Sequence, residues 1–394
     1  MSAPINSIKI PVKLLIEGKV KLLLPDPDVL GDEKAKSLVF YNVFMSFSRD
    51  FSICVLKTYA KTHGSKLRVA EPLTASGVRG LRYAKEVEEV KEVLLSDVNP
   101  MAIDFVYINT VINDLSDKVI IRRSDANIVL SSHATKGKRF NLVDIDPFGS
   151  PAPYVDSAIR ATLVGGIIAL TATDMPPLCG VYPKVALRKY GGISLRTEYC
   201  HEIAIRLVLG LLHREAGKYD LAIKPLVVHS TRHYIRVYVQ LINNKKNFEN
   251  LGFIMHCFKC LHREILEIDQ LSSRVNVCKN CGASMEVAGP LWIGQLFDKE
   301  FCLKMMEVLN TLNLPHKKEL SKMLKLILDE ADGPPTYYTI DALSRLYKLK
   351  QPKMRDLVNR LRSEGFRASL THFNPKGFRF SGDVTDLKKI LTTQ

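Results

Sequence analysis

The chain has 394 residues, 46% of them hydrophobic, and its 56 Lys and Arg against 41 Asp and Glu give a formal net charge of +15. That is apolar content for sizeable cores in about two or three domains, and it excludes a low-complexity chain. No apolar run reaches membrane-spanning length and Met1-Ser2-Ala3-Pro4 has no leader-like pattern, so a soluble, cytoplasmic protein without membrane contact is expected. The surplus of positive charge points to a polyanionic partner more than to a small acidic substrate.

In chain order, the first clear strand is Leu67-Arg68-Val69-Ala70-Glu71. A small-residue turn, Thr74-Ala75-Ser76-Gly77-Val78-Arg79-Gly80, then leads into a helix over Leu81–Val87. Strand, tight turn and helix open a doubly wound nucleotide-binding fold, although the glycines are too few for a dinucleotide fingerprint. A second strand, Val93–Ser96, ends in Asp97, roughly 20 residues past the turn, where an acid meets ribose hydroxyls. A third, Val119–Ile121, precedes Ser124-Asp125-Ala126, placed for an adenine edge. The fourth, Phe140–Ile145, runs into Asp146-Pro147-Phe148-Gly149-Ser150, and a fifth spans Gly166–Leu170. Acids at the ends of four successive strands line the crevice where open α/β sheets bind ligands. A single such acid would read as a solvated loop residue.

The Asp146-Pro147-Phe148 turn carries the chemistry. A methyltransferase acting on the exocyclic amine of a base needs a carboxylate to accept one amine hydrogen. It also needs a carbonyl for the other hydrogen, which the Pro147 C=O can supply, and a ring to stack on the extruded base. Two late segments, Leu221–Val228 and Tyr234–Val239, read as a hairpin six residues apart. The second is expected to keep one face in solvent because its residues alternate with period two. A parallel sheet finished by a hairpin is the methyltransferase form of the Rossmann fold.

Cys257-x-x-Cys260 and Cys278-x-x-Cys281 have the spacing of a tetrahedral thiolate site, and one structural zinc is expected there. Cys54, Cys179, Cys200 and Cys302 are scattered and read as buried or incidental. Trp292, the only tryptophan, is expected at a domain junction. Beyond it come a helix, a break at Gly333-Pro334-Pro335, helices at Ile340–Leu346 and Met354–Leu361, a stop at Gly365 and a strand at Phe366–Leu370. Two short helices and a strand suggest a winged helix-turn-helix unit over 336–380. From Arg345 to Arg379, ten Lys and Arg face only Asp356 and Glu364, a local charge of +8 suited to a phosphate backbone.

Taken together these motifs resemble the tRNA guanine-26 N2-dimethyltransferase family, of archaeal type, nearly end to end. The carriers are Phe40-Tyr41-Asn42, Ser48-Arg49-Asp50, Ala75-Ser76-Gly77-Val78-Arg79 and Asp144-Ile145-Asp146-Pro147-Phe148-Gly149-Ser150-Pro151-Ala152-Pro153. Thr173-Asp174-Met175, Cys179-Gly180, Arg188-Lys189-Tyr190-Gly191-Gly192, the four cysteines and Thr371-His372-Phe373-Asn374-Pro375-Lys376-Gly377 complete them. The resemblance implies two methyl transfers from S-adenosylmethionine to one guanosine N2 in the tRNA core. It makes Asp146 the catalytic carboxylate, with Pro147 beside it, and Phe148 and Phe40 the opposed stacking rings. Arg49, Arg79, Asp97, Asp125 and Ala126 become cofactor contacts. The family's Asn-Pro and Asn-Arg-Asp are replaced by Asn42-Val43 and Ser48-Arg49-Asp50, so the loop around Phe40 is expected to differ.

The expected architecture is α/β: a Rossmann-like methyltransferase domain over 1–245 with an N-terminal extension, and a smaller α+β C-terminal tRNA-binding domain over 246–394 with a four-cysteine zinc module at 255–285. No obligate protein partner is evident. The alternatives are an amino-methyltransferase for another RNA or for DNA, or a non-catalytic zinc-containing nucleic-acid-binding protein.

Overall fold

The computed structural model describes residues 9–64, 66–231, 233–243, 250–273 and 276–392. Met1-Ser2-Ala3-Pro4 and the expected boundary at 245–246 lie outside the described residues. A hairpin, β1 (Val12–Glu17) and β2 (Val20–Pro25), comes first. Then follow β3 (Leu67–Glu71), β4 (Val90–Asp97), β5 (Val119–Arg123), β6 (Phe140–Ile145) and β7 (Thr162–Ala172), all parallel. With β8 (Leu221–Thr231) and the antiparallel β9 (Tyr234–Asn243) they form a seven-stranded sheet ordered β5-β4-β3-β6-β7-β9-β8. The order reverses between β3 and β6, which creates the crevice that open α/β sheets use for ligands.

The hairpin departs from the sequence reading in two ways. Both strands continue inward until Thr231 pairs with Tyr234, leaving a tighter turn than six residues. In addition, β9 has no solvated face. Tyr234, Arg236 and Tyr238 are buried, and Arg236 donates through Nε to Tyr238 and through Nη1 to Thr171 Oγ1 at 2.5 Å. The polar period was real, but internal hydrogen bonds satisfy it instead of water.

Two compact units divide the chain. One comprises the residues up to Pro147, Pro153–Leu170 and Leu303–Lys322. The other comprises Phe148–Ala152, Thr171–Cys302 and the chain from Met323 on. In the second unit, β10 (Leu251–His256), β11 (Arg263–Glu267) and β12 (Glu286–Trp292) make a sheet ordered β11-β10-β12. Another sheet, β13 (Tyr338–Thr339), β14 (Ala368–Leu370) and β15 (Gly377–Phe380), is ordered β13-β15-β14. Helices Ile340–Tyr347, Met354–Ser363 and Val384–Thr392 cover it, with Leu343, Leu357, Leu361, Phe378 and Leu387 in their core. These elements include the stretch 336–380 for which the sequence suggested a winged-helix-like unit. The stretch before the Gly333 break is two helices, Lys299–Thr311 and Lys317–Glu330, not one. Trp292 is buried within the second unit, edge-on to His213.

Candidate active site and thiolate centre

The turn after β3 is shaped for close approach. Ala75 (φ +47°) and Gly77 (φ +76°) bend it into the helix Val78–Glu86. A Cβ on Gly80 would lie 2.2 Å from Leu95 Cδ2 and 2.8 Å from Glu71 Oε2, so only glycine lets this helix sit on the sheet. At the end of β4, Asp97 accepts from the backbone N–H of Ala75 (2.9 Å) and of Asn99 (3.0 Å), which ties the two strand-end loops together. Asp125 is exposed and caps the helix Ala126–Ser132 by accepting from the N–H of Asn127 and Ile128. Two residues missed by the sequence reading stand here. Val98 (61% exposed) follows Asp97, and Ile128 (67% exposed) lies one turn past Asp125. Large apolar side chains left in solvent at the carboxyl ends of sheet strands suit an aromatic ligand, and their positions after the two acids were a usable signal.

Asp146 lies one residue beyond β6 and is held by an ion pair with Arg79 Nη2. Arg79 is 2% exposed. Its Nη1 donates to Ser52 Oγ at 2.7 Å, and its Nε lies 3.8 Å from Asp144 and 3.9 Å from Glu71. Tyr83 donates to the buried Asp144 at 2.6 Å. Arg79 is therefore placed under the strand-end carboxylates as the cation that orients Asp146. Burial pushes the Glu71 carboxyl up to about 8, outweighing the Arg79 charge and the Thr74 and Gly80 hydrogen bonds that favour its ionised form.

Arg49 is likewise buried. It forms a bidentate pair with Glu17 (2.6 and 2.5 Å), donates to Asn42 O at 3.0 Å and lies 5.3 Å from the Tyr41 ring. Tyr41 also donates to Glu17, at 2.8 Å. This network fixes the segment that carries the half-buried Phe40. Asn42 caps the short turn Val43–Met45, accepting from Phe44 N–H, and Val43 takes the first turn position, where proline is also accepted.

In the second unit, Phe148 is 77% exposed. Gly149 (φ +81°) and Thr173 clamp each other: Gly149 N–H donates to Thr173 Oγ1 at 2.8 Å, and Thr173 N–H to Gly149 O at 2.9 Å. Asp174 accepts from Tyr190 (2.5 Å) and Lys189 (3.2 Å). Three motifs far apart in sequence, around Phe148, Thr173 and Lys189, thus support one another.

The four cysteines converge as their spacing predicts. Cys257 and Cys281 Sγ are 3.5 Å apart, as are Cys260 and Cys278, and all four sulfurs lie within 4.8 Å of one another. Each hook is closed by backbone bonds, Leu261 N–H to Cys257 O and Gly282 N–H to Cys278 O. The surround is Phe253, Met255, Leu266 and Met285. Four thiols gathered in an apolar shell fit a structural zinc.

The basic stretch is less uniform than its charge tally. Arg345, Lys348, Lys350, Lys353, Arg355 and Arg367 are exposed. Arg379 is buried between Glu330 (2.7 Å) and Glu202 (3.0 Å) and cannot meet a phosphate. Glu330 also accepts from Thr371 Oγ1 (2.6 Å), His372 N–H (2.8 Å) and His372 Nδ1 (2.6 Å). The Thr371-His372-Phe373 motif is an internal tie.

A sequence model of the family described as N2,N2-dimethylguanosine tRNA methyltransferase matches residues 18–392. The chain belongs to that family. It is 38% identical over 379 residues to a tRNA (guanine(26)-N(2))-dimethyltransferase of Methanothermobacter thermautotrophicus, covering 95% of this chain and 97% of that one. It is 33% identical over 399 residues to the enzyme so described from Pyrococcus abyssi, covering 96% and 98%. The structure of Trm1 from Pyrococcus horikoshii with S-adenosyl-L-methionine superposes with a TM-score of 0.83 at 31% identity, covering 96% of this chain and 99% of that one.

Proposed function

We infer that the chain is an S-adenosylmethionine-dependent tRNA (guanine-26 N2)-dimethyltransferase, and the observation that carries the mechanism is the Arg79-held Asp146 at the end of β6. Full-length similarity to enzymes of that description supports the substrate and the reaction.

The cofactor supplies an electrophilic methyl group on a sulfonium. Asp97 is suited to ribose hydroxyls, the Ala126 backbone N–H and Asp125 to the adenine edge, and Val98 and Ile128 to the adenine faces. Guanine N2 is a weak nucleophile because its lone pair is delocalised into the ring. A carboxylate cannot usefully deprotonate so weak an acid beforehand. Asp146 instead accepts one amine hydrogen, turning the lone pair out of the ring plane, and stabilises the positive charge that grows on N2. Arg79, bound to one Asp146 oxygen and anchored by Ser52, fixes the carboxylate's direction without reorganisation during reaction. In the first transfer the Pro147 carbonyl accepts a hydrogen bond from the other amine hydrogen, and after each transfer the cationic N2 sheds its Asp146-bound proton through the carboxylate to solvent.

Guanosine 26 must leave its stack, at a cost of a few kcal/mol. Phe148 offsets that cost by stacking, with Phe40 as the opposing ring, and the Gly149–Thr173 clamp holds Phe148's turn. Arg49 acts by positioning the Phe40 segment. Binding of tRNA falls to the region from 246 on, with the zinc module at 255–285 and the unit at 336–380, and its exposed cations meet phosphates. We place the enzyme in the cytoplasm, with its tRNA and without an obligate protein partner. Among the described residues no helix is long and apolar enough to cross a membrane.

Nucleoside mass analysis of unfractionated tRNA after incubation tests the reading. The expected product is N2,N2-dimethylguanosine at position 26, lost in Asp146→Ala while S-adenosylmethionine still binds. Methylation of another position only, or an active Asp146→Ala, would overturn it.

A further inference from the structure

Cys179 and Cys200 do not remain scattered. Their sulfurs and a ring nitrogen of His201 all lie within 4.8 Å of one another. The loop bearing Cys179 is strapped in place from both sides. Ser194 donates to Pro177 O at 2.6 Å, and Gly180 (φ +85°) packs so closely that a Cβ would fall 2.3 Å from Arg196 N and 2.4 Å from Leu195 C. Cys200 opens the helix Cys200–Gly217. Helix N-termini favour a thiolate. Consistently, the Cys179 hydrogen bond and the N–H groups of Cys200 and His201 hold the Cys200 thiol below its ordinary range, against burial and Glu198. The Cys179 thiol is pushed up, first by that same hydrogen bond and then by burial. Burial keeps His201 on the neutral side. Of the two sulfurs, Cys200 is therefore the one favoured toward the thiolate. Both cysteines are partly exposed, whereas Cys54 and Cys302 are buried.

We propose that Cys179 and Cys200 form a peroxide-oxidisable dithiol, with Cys200 as nucleophile and Cys179 as resolving thiol, whose disulfide locks the loop that leads from the Gly149–Thr173 clamp beside Phe148. The Cys200 thiolate attacks a peroxide oxygen, the O–O bond breaks, and the departing oxygen takes a proton to leave as water or an alcohol. The sulfenic acid so formed is attacked by Cys179. The S–O bond breaks, and the oxygen departs with the Cys179 proton as a second water. For hydrogen peroxide the sum is two thiols and one peroxide giving one disulfide and two waters. A disulfide needs about 2.05 Å between sulfurs, so closure draws the loop toward the helix. That loop begins at Thr173 and Asp174, which clamp Gly149 and bind Tyr190. The link to the guanosine subsite rests on the methyl-transfer reading, while the thiol chemistry is read separately by mass.

The test treats the full-length protein with a small excess of hydrogen peroxide, blocks remaining thiols and maps peptides by mass, which separates this pair from the four-cysteine centre. A Cys179–Cys200 linked peptide is expected. In Cys179→Ser, Cys200 should be trapped by dimedone as the sulfenic acid, and in Cys200→Ser, Cys179 should stay alkylatable. Methyl transfer should fall at least about threefold on oxidation and recover with dithiothreitol in the wild type, but not respond in this way in Cys200→Ser. Cys200 remaining fully alkylatable after treatment would overturn the proposal. So would metal analysis giving two zinc ions per chain, falling to one in Cys179→Ser, since the cluster would then be a metal site. A linked peptide with unchanged methyl transfer would overturn the coupling to the guanosine subsite.

Discussion

Arg79→Met removes a buried cation from among three carboxylates while keeping most of the side-chain volume. Breaking a buried ion pair by deleting one partner costs about 3–5 kcal/mol, because the other charge is left uncompensated. Here the cost at neutral pH falls near the lower end, about 3 kcal/mol. Glu71 can escape by holding a proton, since burial already pushes it up to about 8 with Arg79 in place, and Asp144 keeps the Tyr83 hydrogen bond. The pH dependence has a definite sign. The stability gained from a protonated Glu71 is present below its unfolded value near 4.3 and is lost as pH rises through about 8. Arg79 lowers the folded value, so its removal lengthens that loss upward, and the variant should lose more stability than the wild type between pH 7 and 9. Catalysis should fall about a hundredfold in kcat, roughly 2.7 kcal/mol, because Asp146 loses the partner that directs it. Urea unfolding at pH 7 and 9, and labelled methyl transfer to a tRNA transcript, measure the two effects. A double cycle isolates the cause: if Arg79 acts through Asp146, adding Arg79→Met to Asp146→Asn lowers the residual rate by little more. Wild-type turnover in Arg79→Met, or rate losses that multiply in the double variant, would refute the positioning role.

Cys257→Ser or Cys281→Ser should release about one zinc per chain by metal analysis and lower the melting temperature, since a structural site contributes folding energy directly. Glu330→Gln should flatten the acid limb of stability. Burial alone would raise the Glu330 carboxyl, but Arg379 and His372 bring it to about 2. Its contribution is therefore present above the unfolded value near 4.3 and lost as pH falls toward 2, which acid titration of near-UV circular dichroism would follow. Lys350→Glu with Arg355→Glu should weaken tRNA binding and lower its salt slope by about two to four, while leaving thermal stability unchanged. Unchanged affinity in a filter-binding titration would make this basic face a solvated surface. Phe148→Ala, at an exposed ring, should lose about 1–3 kcal/mol of base stacking with no change in urea midpoint.

The local pattern determined the parallel strands, the acids at their ends, the turn at Gly77 and Gly80, and the cysteine hooks. Each depends on residue spacing within about one supersecondary unit, where periodicity and ligand spacing are direct consequences of chain geometry. Tertiary structure decided the partners of the charges. Nothing around Arg79 or Arg49 in the sequence says that one is buried against Asp144 and Asp146 and the other against Glu17, because those partners are 65, 67 and 32 residues away. The same holds for Arg379, which adds to the basic tally yet is neutralised by Glu202 and Glu330, and for Arg236, whose alternation mimicked a solvated strand face. It holds again for Cys179 and Cys200, which only the folded loop brings together. A charge count knows the sign of a side chain but not its neighbours. In a low-dielectric interior the neighbours decide whether that charge binds a ligand, orients a catalyst or holds the fold together.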